Sequence, residues 1–372
     1  MVTQHSRSSP GDAARVLLFS MRNLRDHVAR GPGYEFEDVI CRCDSVDVIA
    51  PAPPAEGNSR IGRYFDRITA GQTPRIDGRI VVEKEYELFF AFCLDPQDLR
   101  YMNLIEGLSQ KCRRLVCVVG ELWPGMIAQA RERLQVLRHF DCVFSNFQSS
   151  VEAIQDATGR PCYFLPPAAD ALLFCPFHVQ PTRCIDVCNI GRRPAGLHQA
   201  LMKRAECGDF FYVYDTIGNF PVLDAREHRS LLANLIKRSR YFVAYPAKFD
   251  KPGETRGLEE FGSRFFEGAA GGAVLVGAPP RCAAYDHGFD WRDAVIPTAA
   301  DGAQIAALIA ELESDVRRIE RIRRDNVVNS LERHDWVYRW RDVLDRVGLP
   351  TSSRLEEREA RLRSMAAIGA AC

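Results

Sequence analysis

Two carboxylates stand eight positions apart where a buried strand gives way to a charged loop rich in Pro and Gly, then to a helix: Glu259 in the loop and Glu267 about one turn inside the helix. A carboxylate accepts hydrogen bonds from two vicinal hydroxyls, so Glu267 suits a ribose and Glu259 the hydroxyls of a second sugar. Between them lie Phe261, Gly262 and Ser263, with Ser263 read as the helix cap. A helix start presents unpaired backbone N–H groups and the positive end of a dipole, a ready seat for phosphate. Gly262 lets the backbone approach an anion closely. Ribose, phosphate and a second sugar together have the shape of a nucleotide-sugar. Glu260 offers a competing register for the first carboxylate.

A pyrophosphate also needs a cation. Arg192 and Arg193 follow a strand and a Gly, where a loop faces a cleft. Lys248, Lys251, Arg256 and Arg264 are alternatives, and the sequence does not choose among them; Lys203 reads as an outward helix residue. In the first half of the chain His27 and Glu121 each lie just beyond a strand and are expected at the cleft as catalytic or acceptor contacts. The ordinary reading of a lone loop histidine is structural, and His287 and His334 are read that way.

The elements that must position these groups alternate short apolar runs with segments of helical period, the pattern of parallel strands joined by crossover helices. Strands are expected at 15–19, 45–49, 88–92, 115–119, 142–145 and 163–165. A second series is expected at 185–190, 211–214, 241–244, 273–276 and 294–296. Helices are expected at 99–111, 195–205, 225–238, 263–270 and 302–312. A Pro-rich junction, Pro166 to Pro181, separates the two series. The expected organisation is an α/β chain with two Rossmann-like domains facing across a cleft: a disordered start at 1–14, a first domain at 15–177 and a second at 178–331. A helix at 332–349, with Trp336, Val337, Trp340, Val343 and Leu344 at amphipathic spacing, crosses back towards the first domain. The charged tail 350–372 is expected to be solvent-exposed or frayed.

At 372 residues, 46% apolar and 26% charged, the chain has material for two ordinary globular domains. Lys plus Arg and Asp plus Glu both number 49, which argues against a nucleic-acid partner and limits membrane contact to a peripheral role for the Arg-rich tail. Thirteen cysteines, scattered through apolar runs with no zinc spacing, read as reduced core residues of a cytoplasmic protein. No signal peptide or membrane span is legible, and neither a metal nor a cofactor is expected.

The run Glu259-Glu260-Phe261-Gly262-Ser263-Arg264-Phe265-Phe266-Glu267-Gly268-Ala269-Ala270-Gly271-Gly272 resembles the signature of retaining GT-B glycosyltransferases, Glu, seven residues, Glu, most often E-G-F-G-L-x-x-x-E-A-x-A-x-G. Its Arg-Phe-Phe-Glu core looks like the spore-maturation branch of that group. The resemblance implies that Glu259 contacts the donor sugar, the backbone of Phe261 to Ser263 the sugar or phosphate, and Glu267 the ribose. Weaker echoes at 141–174, 184–205 and 334–349 extend it over residues 140–349. The expected activity is transfer of a hexose-type sugar from a nucleotide-sugar to an acceptor hydroxyl, with retention and without a metal. The acceptor, whether a sugar, a lipid-linked sugar or a small molecule, is not legible. A nucleotide-sugar epimerase and a non-catalytic glycosyltransferase-like binding protein are the alternatives.

Overall fold

The computed structural model describes residues 4–6, 13–52, 78–177, 180–216 and 221–371. Strands in the first half are β1 (Gln4–Ser6), β2 (Val16–Phe19), β3 (Val46–Ile49), β4 (Ile80–Val81), β5 (Tyr86–Cys93), β6 (Ile105–Glu106), β7 (Cys112–Val119), β8 (Cys142–Ser145) and β9 (Cys162–Phe164). Among the described residues they form a seven-stranded sheet in the order β1-β3-β2-β5-β7-β8-β9, with β4 and β6 a separate pair. Every pairing in the large sheet is parallel except the antiparallel one of β1 with β3. The second half contains β10 (Ile185–Asn189), β11 (Tyr212–Tyr214), β12 (Ser239–Ala244), β13 (Val274–Gly277) and β14 (Ile296–Pro297), all parallel in the order β11-β10-β12-β13-β14. In each sheet the strand order reverses beside its first crossover strand. The crevice beyond the carboxyl ends at such a reversal is where open α/β sheets bind ligands.

Six helices position the cleft or close the fold: α1 (Gly31–Cys43), α2 (Ala225–Lys237), α3 (Ser263–Ala270), α4 (Val316–Arg333), α5 (Trp336–Val347) and α6 (Ser353–Ala371). α2 begins at Asp224, whose carboxylate accepts from Arg226 N at 2.7 Å. It buries Leu232, Ala233 and Ile236 on one stripe. α5 starts at Asp335, which accepts from Val337 N at 2.9 Å, and runs into the core of the first sheet. There Trp336 stacks on Phe36 at 4.7 Å, and Trp340 meets Phe90 edge-on at 5.3 Å. Both indole N–H groups find carboxylates, Trp336 on Glu35 and Trp340 on Asp44, each at 3.0 Å, as buried tryptophans require.

Four local expectations need correction. Residues 99–111 are not one helix: Asp95 and Asp98 form a capping box around Pro96, and the turns that follow are of the tighter 3₁₀ type to Leu104. Gly107, at φ 86°, then breaks the chain before a single turn, Leu108–Lys111. The start of the chain is not all without structure, since residues 4–6 pair with β3; the rest of 1–12 lies outside the described residues. Cys184 and Cys207 are exposed, not core residues, although the other described cysteines are at least partly buried. The tail is a packed helix: in α6, Leu355 and Leu362 are fully buried and Arg358 bonds to both Asp170 and Asp335. Its alternation of Arg and Glu disguised the stripe formed by Leu355, Leu362, Met365 and Ala366.

The turn into α5 holds a histidine with a measurable signature. His334 is buried, stacks on Phe289 at 4.9 Å and places Nε2 2.8 Å from Gly288 O. Burial, then the neighbouring Arg339 guanidinium, push its pKa down to about 3. As pH falls below about 6.5 the unfolded chain takes up a proton that the folded one refuses, so folding loses about 3 kcal/mol by pH 4 through this group. Denaturation of the parent and of His334→Gln between pH 4 and 7 checks this. The variant is expected to have the shallower slope, and equal slopes would assign the acid sensitivity elsewhere.

Candidate active site

The reversal in the second sheet lies between β10 and β12, and the loop after β10 turns through Gly191 at φ 85°. Gly191 N donates to both carboxylate oxygens of Asp215 at 3.1 Å. Arg193 closes the same turn, with Nη1 2.5 Å from Asp215 Oδ1 and Nη2 2.6 Å from Asp215 O. A side chain at position 191 would press on Arg264, whose Nη2 would stand 3.1 Å from the added Cβ. Arg192 turns outward to an exposed pair with Asp250 at 2.9 Å.

α3 points its N-terminus at this crevice. Its cap is Gly262, not Ser263, and no side chain bonds the first amides. The Ser263 and Arg264 N–H groups are therefore open donors for an anion, in the way expected of an uncapped helix start. The Phe261 side chain belongs to the core, packed on Phe265, Phe266 and Phe289, so only its backbone can serve a ligand.

Glu267 lies under the crevice and is fully buried. Its Oε2 meets Arg264 Nη1 and its Oε1 meets Arg229 Nη1. Arg229, buried in α2, also grips Glu35 of α1 through Nε at 2.7 Å and Nη2 at 3.1 Å. Glu35 receives two further donors, Asp170 N at 2.7 Å and Trp336 Nε1 at 3.0 Å. Burial alone would raise the Glu267 carboxyl, but Arg264 and Arg229 outweigh it and hold the pKa at about 2. The group is thus an ionised, acceptor-only carboxylate at neutral pH.

The first carboxylate of the motif is placed otherwise than expected. Glu259 is engaged by Arg281, accepting from its backbone N at 2.7 Å and from Nη2 at 2.6 Å. Glu260 is the one that reaches the first domain, where its Oε1 accepts from Ser149 N at 2.7 Å, while its buried Oε2 has no partner among the described residues. Burial, only partly offset by Ser149, raises the Glu260 carboxyl. Beside it Lys248, held at φ 50°, reaches Glu254 at 2.9 Å and Glu121 of the first domain at 3.7 Å. Two residues singled out separately in the sequence, Lys248 and Glu121, thus meet across the cleft.

At the other end of the cleft a cavity of about 180 Å³ has Arg22, Asp26, His27 and Tyr34 on one wall and Leu223, Arg226 and His228 on the other. His27 stands exposed here, but its Nδ1 accepts from Ala29 N at 3.1 Å, which leaves Nε2 for a ligand. The walls are joined by Arg226 on Asp38 at 2.6 Å and by Val222 N on Asp26 O at 2.6 Å. Burial first, then Arg229 and Arg264, lower the pKa of His228.

Glu35, Asp215, His228 and Arg229 escaped the sequence reading. Arg229 alone left a legible sign, since it falls three, four and seven positions before Leu232, Ala233 and Ile236 on the buried stripe of α2. A charge in an apolar stripe calls for a buried partner. Glu35 and Asp215 are paired through tertiary contacts that no local pattern announces.

Residues 212–345, from β11 to within α5, match a family described as Glycosyl transferase-like. No curated protein sequence matches. Among solved structures the chain is similar to Anabaena Alr3699/HepE in complex with UDP-glucose, at 14% identity and TM-score 0.53 over 90% of this chain and 99% of that one. It is similar also to a UDP-forming α,α-trehalose-phosphate synthase from Burkholderia vietnamiensis, at 13% identity and TM-score 0.53 over 96% and 99%. A third is an α-glucosyltransferase in complex with UDP and DNA, at 13% identity and TM-score 0.51 over 90% and 100%. The fold is accordingly the GT-B arrangement, two Rossmann-like units across a cleft. Among the described residues no helix is long and apolar enough to cross a membrane.

Proposed function

We propose that the protein transfers a sugar from a nucleotide-sugar to an acceptor hydroxyl, holding the donor on the second sheet. The observation that carries the reading is the ionised Glu267 at the strand-order reversal, beside the open N-terminus of α3. In this reading Glu267 takes the ribose hydroxyls, and the Ser263 and Arg264 amides take the diphosphate. Lys248 and an arginine of the β10 loop neutralise the charge that develops on the leaving group. A front-face mechanism with retention at the anomeric carbon, and no metal, follows from the resemblance of the 259–272 run. Glu121 and Glu260 lie near the transferred sugar, where the acceptor hydroxyl must also reach, and His27 contacts the part of the ligand that extends into the cavity at the other end of the cleft. The glycosyltransferase-like match over 212–345 and the GT-B fold support this assignment.

Because two of the similar structures contain UDP or UDP-glucose, UDP-sugars head the panel to be titrated, followed by GDP- and dTDP-sugars. A ligand that binds only the folded protein raises the midpoint of thermal unfolding. Glu267→Gln keeps the shape of the side chain but removes its charge, and is expected to weaken nucleotide binding by at least about tenfold. Unchanged affinity would remove Glu267 from the site. Full pairing of Glu267 and Glu259 within the protein favours a second reading, a binding protein that no longer turns over. Product formation from a bound donor separates the two.

A further inference from the structure

We propose that Arg264 is an exchangeable stand-in for the donor: when a nucleoside diphosphate sugar enters, Arg264 leaves Glu267 for the diphosphate and the ribose hydroxyls take its place on Glu267 Oε2. The inference rests on the donor site proposed above and concerns how that site opens.

Glu267 has an arginine on each oxygen, and the two arginines are held very differently. Arg229 is 4% exposed and gives two donors to Glu35, so moving it would strand a second buried carboxylate. Arg264 is 24% exposed, and among the described residues it holds, beyond Glu267, only a backbone oxygen, Ile190 O, at 2.9 Å. Its Nη2 makes no hydrogen bond among the described residues and faces Gly191, where the missing side chain leaves room for the guanidinium to move. Arg264 is also the second residue of α3, so its side chain starts within reach of an anion seated on that helix end.

Charge balance makes the exchange coherent. Glu35, Arg229, Glu267 and Arg264 sum to zero, so the closed site is a neutral, fully paired cluster that needs no ligand. Withdrawal of Arg264 leaves one negative charge facing the crevice, suited to two hydroxyl donors, and delivers one positive charge to the diphosphate. A nucleoside without phosphates gives Arg264 nowhere to go and has to compete with it for Glu267. Discrimination between nucleoside and nucleoside diphosphate is therefore built into one side chain.

The test compares uridine with UDP, and guanosine with GDP, by calorimetric titration of the full chain and of Arg264→Met and Arg264→Lys. In Arg264→Met the diphosphate is expected to bind at least about tenfold more weakly, whereas the nucleoside binds about threefold more tightly because its competitor is gone. Arg264→Lys is expected to recover part of the diphosphate affinity. Opposite signs for the two ligands are what a purely structural arginine cannot produce. If both affinities fall together in Met and Lys variants that unfold at the parent's temperature, or if neither changes, the exchange is wrong while the donor site stands. A parent protein that binds none of the four ligands overturns both.

Discussion

Replacing Arg229 with Met is expected to lower the free energy of unfolding by about 3–5 kcal/mol, the usual penalty for breaking a buried ion pair from one side. The loss arises less from the bonds removed than from what is left behind. Glu35 and Glu267 would face each other inside the protein without the guanidinium that now lies between them. Glu35 would keep Asp170 N and Trp336 Nε1, and Glu267 would keep Arg264, so the damage falls mainly on the α1 side. Neutralising the carboxylates as well, in Glu35→Gln/Arg229→Met/Glu267→Gln, is expected to recover part of the loss, because uncharged partners do not require the missing cation. Urea unfolding of the three proteins, parent, single variant and triple variant, measures both statements. A loss below about 1 kcal/mol in the single variant would mean that water replaces the guanidinium and that the cluster is no true interior. Because Glu35 belongs to the first domain and Glu267 to the second, the variant also removes a tie between them, and separation of the domain transitions is a second expected sign.

Arg358→Met is expected to produce the other large effect, about 3 kcal/mol of lost stability. Arg358 puts Nη2 2.6 Å from Asp170 Oδ1 and 2.7 Å from Asp335 Oδ2, with Nε 2.9 Å from Asp335 Oδ1. Those two aspartates are themselves structural. Asp170 starts the short turn Ala171–Phe174, and Asp335 caps α5 while also accepting from Ala171 N at 2.9 Å. Arg42 on Asp170 offers partial compensation, and Asp335 has no second arginine or lysine within 4 Å among the described residues. Removing the whole of α6 would in addition expose the core that Leu355, Leu362 and Ala366 now cover. The measurement is again equilibrium unfolding, with Arg354→Met in the same helix as the comparison. Equal small losses in both variants would return α6 to the status of a solvated tail.

The strands were largely legible because parallel strands buried on both faces are continuous apolar runs, and Cys142–Ser145 begins and ends where the pattern says. The helices 195–205 and 263–270 were equally plain, each bounded by Pro, Gly or a change of period. What failed was the reading of charge. Arg229 and Arg358 look like surface residues in a chain that is one quarter charged, and only their partners, far away in sequence, make them interior. The same blindness affected the site. The spacing of Glu259 and Glu267 pointed to one strand, loop and helix, but whether a carboxylate is open, tied to Arg281 or turned towards Ser149 is decided by neighbours from other elements.

The return of α5 and α6 into the first domain bears on how the chain is made. Phe36 and Phe90 are synthesised early, yet the rings that cover them, Trp336 and Trp340, leave the ribosome 300 and 250 residues later. Domains commonly fold in the order of their synthesis. Here the domain begun first has to wait for the last helices before one face of its sheet is sealed, whereas β10 to β14 and their helices can complete their own sheet beforehand. Nascent chains stalled before residue 336 would thus present a finished second domain and an open, sticky first one, a natural client for a chaperone that binds exposed aromatic surface.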